Sequence, residues 1–282
     1  MEIDILSRLS ALAHPQRLAL FRLLMRRYPD QVAAGELARA LDLKASTLSA
    51  YLATLVQAGL LVQTRAGTSL LYSVNLAGVR QTFDHLFLDC CRGRPELCPP
   101  ISMPSATEPA PRPERPYNVL FLCSGNSVRS ILAESLLRHE GGGMFNAYSA
   151  GTNPCSAPDP RVLDLLRTCG HDIANLRSKA LSTYRCPDAP GFDFVFTVCD
   201  RAANEECPTW PGQPISAHWG VPDPTGVPGG EAEKALALKQ TYGALSRRIA
   251  GFAALPIKSL DRVSLQHAVD DLARLPEENV PS

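Results

Sequence analysis

Val119–Glu134 reads VLFLCSGNSVRSILAE, and the fold turns on how this stretch is read. An apolar run over Asn118–Leu122 has the length and composition of a short buried strand. Ser124-Gly125-Asn126-Ser127-Val128 is loop chemistry, and a helix is expected from Arg129 through Arg138. Cys123 and Arg129 therefore stand in the spacing Cys-x5-Arg between a strand and a helix. In such a turn the N–H groups of Ser124, Gly125, Asn126, Ser127 and Val128 converge on one point, and the helix N-terminus adds positive potential. Both effects favour Cys123 as a thiolate and prepare the loop for a tetrahedral oxyanion. The Arg129 fork can hold two oxygens of that anion, Gly125 allows close backbone approach, and Ser130 can donate a hydrogen bond to the thiolate. A bare Cys-x5-Arg is as easily a core thiol and a surface arginine; the strand-loop-helix context is what argues for chemistry.

Downstream of this loop the pattern alternates. Phe145–Ser149 and Phe192–Val198 are strand-like, Pro160–Cys169 reads as a helix, and Glu231–Leu255 contains the closing helix. Strands alternating with helices point to a parallel α/β sheet.

Upstream lies PPISMPSATEPAPRPERP at 99–116, with seven prolines in eighteen residues, a semi-stiff linker. Before it the signals are mostly helical. One helix is expected from Pro15 through Leu24, a second over Ala34–Leu41, and a third from near Ser46 to Gly59 with Leu48, Leu52, Leu55 and Val56 on one face. Leu60–Thr64 and Leu70–Val74 then flank a turn at 65–69, and a last helix spans Leu76–Cys90. Helix, turn, helix, β-hairpin is the order of a winged helix-turn-helix. The expected division is 1–98 for this DNA-binding domain, 99–116 for the linker, 117–265 for the α/β domain and 266–282 for a tail.

Composition limits what the chain can be. It has 282 residues, 45% hydrophobic and 20% charged, with a formal net charge of zero. No apolar run approaches the roughly 18 residues needed to cross a bilayer, and the start, MEIDI, lacks a basic signal region. A cytoplasmic protein without membrane contact is expected. Residues 1–98 carry eleven Lys and Arg against eight Asp and Glu, with no acidic residue between Leu43 and Phe83, so a polyanion can lie there without repulsion. Nine cysteines are too irregularly spaced for a disulfide scaffold, and six of them cluster as Cys90, Cys91, Cys98 and Cys123, Cys199, Cys207. Cys155, Cys169 and Cys186 are scattered and each is expected to be a buried, inert thiol.

VLFLCSGNSVRSILAE resembles the amino-terminal motif of the low-molecular-weight tyrosine phosphatase fold, which implies a four-stranded parallel sheet. TVCDRAANEECPTWPG and AHWGVPDPTG, from 197 and 217 onward, resemble its arsenate reductase branch of the thioredoxin-type family. The resemblance implies that the carboxylic acid of an Asp-Pro loop, here Asp223-Pro224, protonates the leaving oxygen. Thr225-Gly226-Val227 follows where phosphatases carry tyrosines. Asp159-Pro160 is the competing Asp-Pro pair. Reduction of As(V) to As(III) needs two electrons, which thiols supply by forming a disulfide. Cys199 is expected to attack Cys123 and release arsenite, and Cys207 to resolve that disulfide, from an exposed, mobile acidic segment. The external reductant is left open among thioredoxin, glutaredoxin with glutathione, and mycothiol. Asn126 and Glu134 match loop-supporting positions at which some members bind potassium. His218 and Trp219 are expected to shape the approach to the site.

Residues 5–98 are similar to the arsenic-responsive winged-helix repressors, through LSALAHPQRLALFRLL and KASTLSAYLATLVQAGLL. That implies a homodimer that binds operator DNA and leaves it when As(III) binds. Ser46, Thr47, Ser49 and Tyr51 are the candidate DNA contacts on the recognition helix, with Lys44 and Arg65 on phosphates. The helix before the recognition helix has none of the cysteines that many members use there. Cys90, Cys91 and Cys98 are the candidate As(III) ligands instead, because a soft three-coordinate ion suits three thiolates. Asp84 and His85 are weaker candidates for a metal site. Two other readings stay open: a protein tyrosine phosphatase fused to a regulator, and a pure regulator whose second domain only binds oxyanion.

Overall fold

A computed structural model describes residues 2–91, 115–186, 188–205 and 210–275. The chain divides into two compact units, with the boundary between residues 105 and 106.

In the first unit α1 (Glu2–Leu12) precedes α2 (Pro15–Arg27), which starts where sequence predicts because the His14 imidazole accepts the Gln16 N–H and Pro15 fills the first turn. A two-residue strand, β1 (Val32–Ala33), leads into α3 (Ala34–Ala40) and α4 (Ala45–Gln57). Asp42, at φ +50°, makes the break between these helices, and Gly59, at φ +71°, ends α4. The wing is β2 (Leu61–Ala66) paired antiparallel with β3 (Ser69–Val74), and β1 adds to the free side of β3. Its ladder closes at Ala66 and Ser69, so the turn is only Gly67-Thr68, tighter than the five residues expected. Leu20, Leu24, Leu37, Leu48, Leu52 and Leu55 form the centre of the core. Arg8 fastens α1 by donating to the carbonyls of Ala58 and Gly78 at 3.2 and 3.1 Å. The last helix is α-helical as α5 (Leu76–Asp84) and widens to π-helical turns over His85–Cys90.

The second unit is a four-stranded, wholly parallel sheet in the order β5-β4-β6-β7. β4 (Tyr117–Cys123) is central and every one of its residues is buried, which explains the apolar run from Val119 to Leu122. It is followed by α6 (Arg129–Glu140), β5 (Phe145–Gly151), α7 (Pro160–Thr168), a 3-10 turn at Leu181–Tyr184, β6 (Phe194–Thr197), α8 (Asp200–Asn204), β7 (Ile215–His218), α9 (Glu231–Ala253) and α10 (Arg262–Ala273). One face of the sheet packs Phe121, Phe196, Trp219 and Phe252; the other packs Leu120, Leu122, Leu181 and Val195. Because β5 and β6 leave β4 on opposite sides, a crevice opens at its carboxyl end. Cys123 is the last residue of β4 and stands at that switch point.

Helix α10 crosses the boundary drawn at residue 265: Leu265 and Val269 belong to the core, so the segment expected to be tail is structural as far as Ala273. Trp219 is also a core residue rather than part of the approach to the site, fully buried and stacked on Phe196 at 4.1 Å.

Candidate active site

Eight consecutive residues of α6, Ser130–Leu137, are buried, including three polar ones, so their polar atoms need internal partners. Those partners build the site. Cys123 Sγ lies 2.8 Å from Ser130 Oγ and accepts the Asn126 N–H at 3.1 Å. Asn126 holds the loop in the left-handed region, φ +44°, which asparagine tolerates better than most residues. Its Nδ2 donates to Ser130 Oγ and to Ser149 Oγ, both at 2.8 Å, and its Oδ1 accepts the Lys179 N–H at 2.6 Å. Ser130 accepts from Asn126 and can donate its own hydroxyl hydrogen to the sulfur when Cys123 is a thiolate. The loop also needs Gly151 opposite it, since a Cβ there would come within 2.6 Å of the Ser124 carbonyl.

Arg129, the first residue of α6, donates to the Val221 carbonyl at 3.2 Å and to Asp223 Oδ2 at 2.8 Å. Asp223 Oδ1 accepts the N–H and hydroxyl of Thr225 at 3.0 and 2.7 Å. Burial pushes the Asp223 carboxyl up, but the two Thr225 hydrogen bonds and the Arg129 charge outweigh it and hold it below the usual carboxylate range. The competing Asp159 is otherwise engaged: it caps α7 and chelates Arg161 at 2.7 and 3.0 Å.

Cys199 is fully buried, although Asp200 and Arg201, which open the acidic segment after it, are exposed. It caps α8, accepting the Ala202 N–H at 3.4 Å, and it accepts the N–H of Ser124 at 3.3 Å. The second thiol thus rests on the backbone of the oxyanion loop, next to the first. Burial pushes the Cys199 thiol up, with the neighbouring Cys123 adding to this and Arg129 opposing it. Cys207 lies outside the described residues. Cys155, Cys169 and Cys186, expected to be buried, are instead exposed thiols.

Residues 118–264 match the low molecular weight phosphotyrosine protein phosphatase family. The chain belongs to this family. Its arrangement of loop, arginine and Asp-Pro turn is therefore that of a phosphatase-fold domain, joined to an amino-terminal helix-turn-helix domain matched over residues 12–64. Two similar relatives are the arsenate reductases of Bacillus licheniformis and Bacillus subtilis, 33% and 32% identical over 135 residues, each match covering 48% of this chain and 94% of the relative. A crystal structure of an arsenate reductase from Archaeoglobus fulgidus aligns at 25% identity and a TM-score of 0.40, over 49% of this chain and 99% of that one.

Beneath the phosphatase-fold loop, Glu134 is wholly enclosed. Its carboxylate accepts from the Ser149 hydroxyl, the Arg138 guanidinium and the Lys179 ammonium, the last at 2.8 Å. The position at which a cation would neutralise Glu134 is thus filled by the chain's own Lys179. Burial lowers Lys179 from the usual lysine range, and Glu134 opposes that. Sequence reasoning missed Lys179 and Ser149, which lie far along the chain from the motif and carry no spacing signal. It noted Thr225 only for standing where phosphatases carry tyrosines, not as the partner of Asp223 two residues before it. It placed His218 in the approach; the ring is buried and bonded to Thr197 Oγ1 and Asp200 Oδ1 at 2.8 and 3.1 Å.

In the helix-turn-helix domain, α4 buries Leu48, Leu52 and Leu55 and exposes Ser46 and Ser49, with Lys44 exposed at its N-cap and Thr47 half-buried. Tyr51 turns its hydroxyl to Gln16 Oε1, 2.7 Å away, and its ring lies 5.0 Å from His14, so α2 positions it. Arg65 is exposed on the wing, its Nε on the Gly67 carbonyl at 3.2 Å. Cys90 is an exposed thiol and Cys91 a half-exposed one, neither in a disulfide, while Cys98 lies outside the described residues. Asp84 pairs with Arg80 at 3.7 Å and His85 with Asp89 at 3.4 Å. Among the described residues of this unit, no three metal-ligand atoms converge. No described helix in either unit is long and apolar enough to cross a membrane.

Proposed function

We propose that the phosphatase-fold domain reduces arsenate to arsenite and that the helix-turn-helix domain is an arsenite-responsive, DNA-binding repressor. The observation that carries the first half is the second thiol: Cys199 is hydrogen-bonded to the loop that holds Cys123, and phosphate-ester hydrolysis has no use for it.

The Cys123 thiolate attacks arsenic, held by the loop N–H groups and the Arg129 fork. One arsenate oxygen leaves as water with a proton from Asp223. At rest Asp223 is ionised and paired with Arg129. The entering oxyanion takes over the guanidinium, and the freed carboxylate accepts a proton brought in by arsenate itself and returns it to the departing oxygen. Cys199 then attacks Cys123 sulfur. A disulfide forms, the S–As bond breaks, and its electron pair stays on arsenic, which becomes As(III) as two thiols become a disulfide. Cys207 exchanges with this disulfide to present Cys199–Cys207 to an external dithiol of the thioredoxin class; glutathione with glutaredoxin, or mycothiol, are the other reductants to be tried.

Cys90, Cys91 and Cys98 bind the arsenite so produced and release the protein from operator DNA. Ser46, Thr47, Ser49 and Tyr51 read bases, and Lys44 and Arg65 hold phosphates. A homodimer is supported by the apolar side chains that α1 and the last helix leave uncovered, with Leu6 63%, Phe83 53% and Leu88 73% exposed. The setting is cytoplasmic, where these thiols stay reduced. An arsenate reduction assay run in turn with thioredoxin, glutathione and mycothiol systems tests the enzymatic half. Turnover with at least one of them is expected. Phosphate-ester hydrolysis without any arsenate turnover would contradict it and favour a phosphatase.

A further inference from the structure

We infer that Lys179 is a positioning residue for the Cys123 nucleophile, acting through a buried hydrogen-bonded chain that ends on the sulfur. This rests on the reading that Cys123 is the nucleophile. Four links join the ion pair to it: Glu134 to Ser149, Ser149 to Asn126, Asn126 to Ser130, and Ser130 to Cys123 Sγ. Lys179 touches this chain twice. Its N–H donates to Asn126 Oδ1, which fixes the amide so that both Nδ2 hydrogens face the serines. Its ammonium sits on Glu134 Oε2, 2.8 Å away, with the Lys179 and Glu134 side chains 9% and 0% exposed.

The charge balance gives Lys179 its importance. Glu134 is a fully enclosed carboxylate, and an enclosed charge without a close counter-charge is costly. Its other cation, Arg138, is 38% exposed and therefore partly screened by solvent. Lys179 is the enclosed one. With it present, the group of Glu134, Arg138 and Lys179 carries net positive charge beneath the oxyanion loop, which favours a thiolate at the far end of the chain. Without it, only the partly screened Arg138 offsets Glu134, the net positive charge is lost, and the carboxylate competes for the hydrogens that Asn126 and the serines direct outward. The ammonium also pins the backbone at Lys179 against α6. The same stretch accepts the Gly151 N–H at 2.8 Å, so one clamp sets both the amide register and the wall opposite the loop.

The test is the pH profile of Cys123 alkylation by iodoacetamide, followed by peptide mass spectrometry in the reduced full-length protein. It needs no arsenate. Lys179→Met is expected to move the profile to higher pH by about one unit and to lower arsenate kcat/KM roughly tenfold. Lys179→Arg is expected to stay near wild type, and methylammonium to move Lys179→Met part of the way back. Glu134→Gln, which removes the opposing charge, is expected to move the profile to lower pH and supplies the test should Lys179→Met not fold. A folded Lys179→Met with the wild-type profile, or Glu134→Gln shifting upward or not at all, overturns the proposal. If wild type does not reduce arsenate but the alkylation shifts hold, the arsenate reading fails while the role of Lys179 stands.

Discussion

Cys123 and Cys90-Cys91 are both reduced cysteines at the end of a secondary-structure element, yet their surroundings are opposite. Cys123 closes a buried strand, and its sulfur already has two hydrogen-bond partners, themselves held by Asn126 and Ser149. Cys90 and Cys91 end the π-helical turns, with Cys90 exposed and Cys91 half-exposed. On the proposed function, Cys123 being the nucleophile and Cys90-Cys91 part of the arsenite sensor, the difference follows from what each has to do. A nucleophile acts on one ligand in one geometry, so its surroundings must be in place before the substrate arrives. A sensor thiol must change partners when the ion comes, and accessible sulfur on the end of a helix is suited to being reorganised.

The largest effects should separate these two regions. Cys123→Ser is expected to cut arsenate reduction by more than about a thousandfold while DNA binding and its release by arsenite persist in a mobility-shift assay. The converse variant, Cys90→Ser with Cys91→Ser, should reduce arsenate at the wild-type rate but stay on DNA in the presence of arsenite. If either variant loses both functions, the two thiol regions are not independent. Asp223→Asn should be milder than loss of the nucleophile, lowering kcat about 10²-fold or more by removing general acid catalysis, and it should flatten the pH dependence of turnover.

The smallest effect concerns α10, which packs against β7 and α9. Asp270, buried on α10 with Gln266 Nε2 on its Oδ1 at 3.0 Å, is pushed up to about 6 chiefly by burial. Its native form therefore keeps a proton that the unfolded chain has lost near pH 4, so its contribution to stability falls between about pH 4 and 6 and stays low above that. Asp270→Asn should stabilise the protein at pH 8 by on the order of 1–2 kcal/mol and leave it unchanged below pH 4, as read from denaturant melts. A gain of the same size at both pH values would mean that packing, not ionisation, is responsible.

Much of this organisation was legible in the sequence because it is written locally. The strand, loop and helix around Cys123 lie in one run of residues, and the wing was visible from two apolar runs about a turn. What was hidden depends on distant partners. Lys179 meets Glu134 across 45 residues of chain, and no periodicity reports that. The acidic stretch after Cys199 suggested solvent, yet a five-residue helix, α8, buries Ala202 and Ala203 beneath it and draws the thiol inward. β7 is four residues long and α10 follows a turn rich in polar residues, so both fell below what pattern alone reveals. Trp219 was misplaced for the opposite reason: proximity in sequence to the Asp223 turn suggested the site, whereas its ring stacks in the core.

The central claim is that Cys123 and Cys199 together supply the two electrons. A single-turnover experiment on fully reduced Cys207→Ser protein, with arsenate and no external reductant, tests it most directly. The account predicts one arsenite per chain, two thiols lost, and a Cys123–Cys199 disulfide in the peptide map. Arsenite release without that disulfide, or thiol loss that spares Cys199, would contradict it.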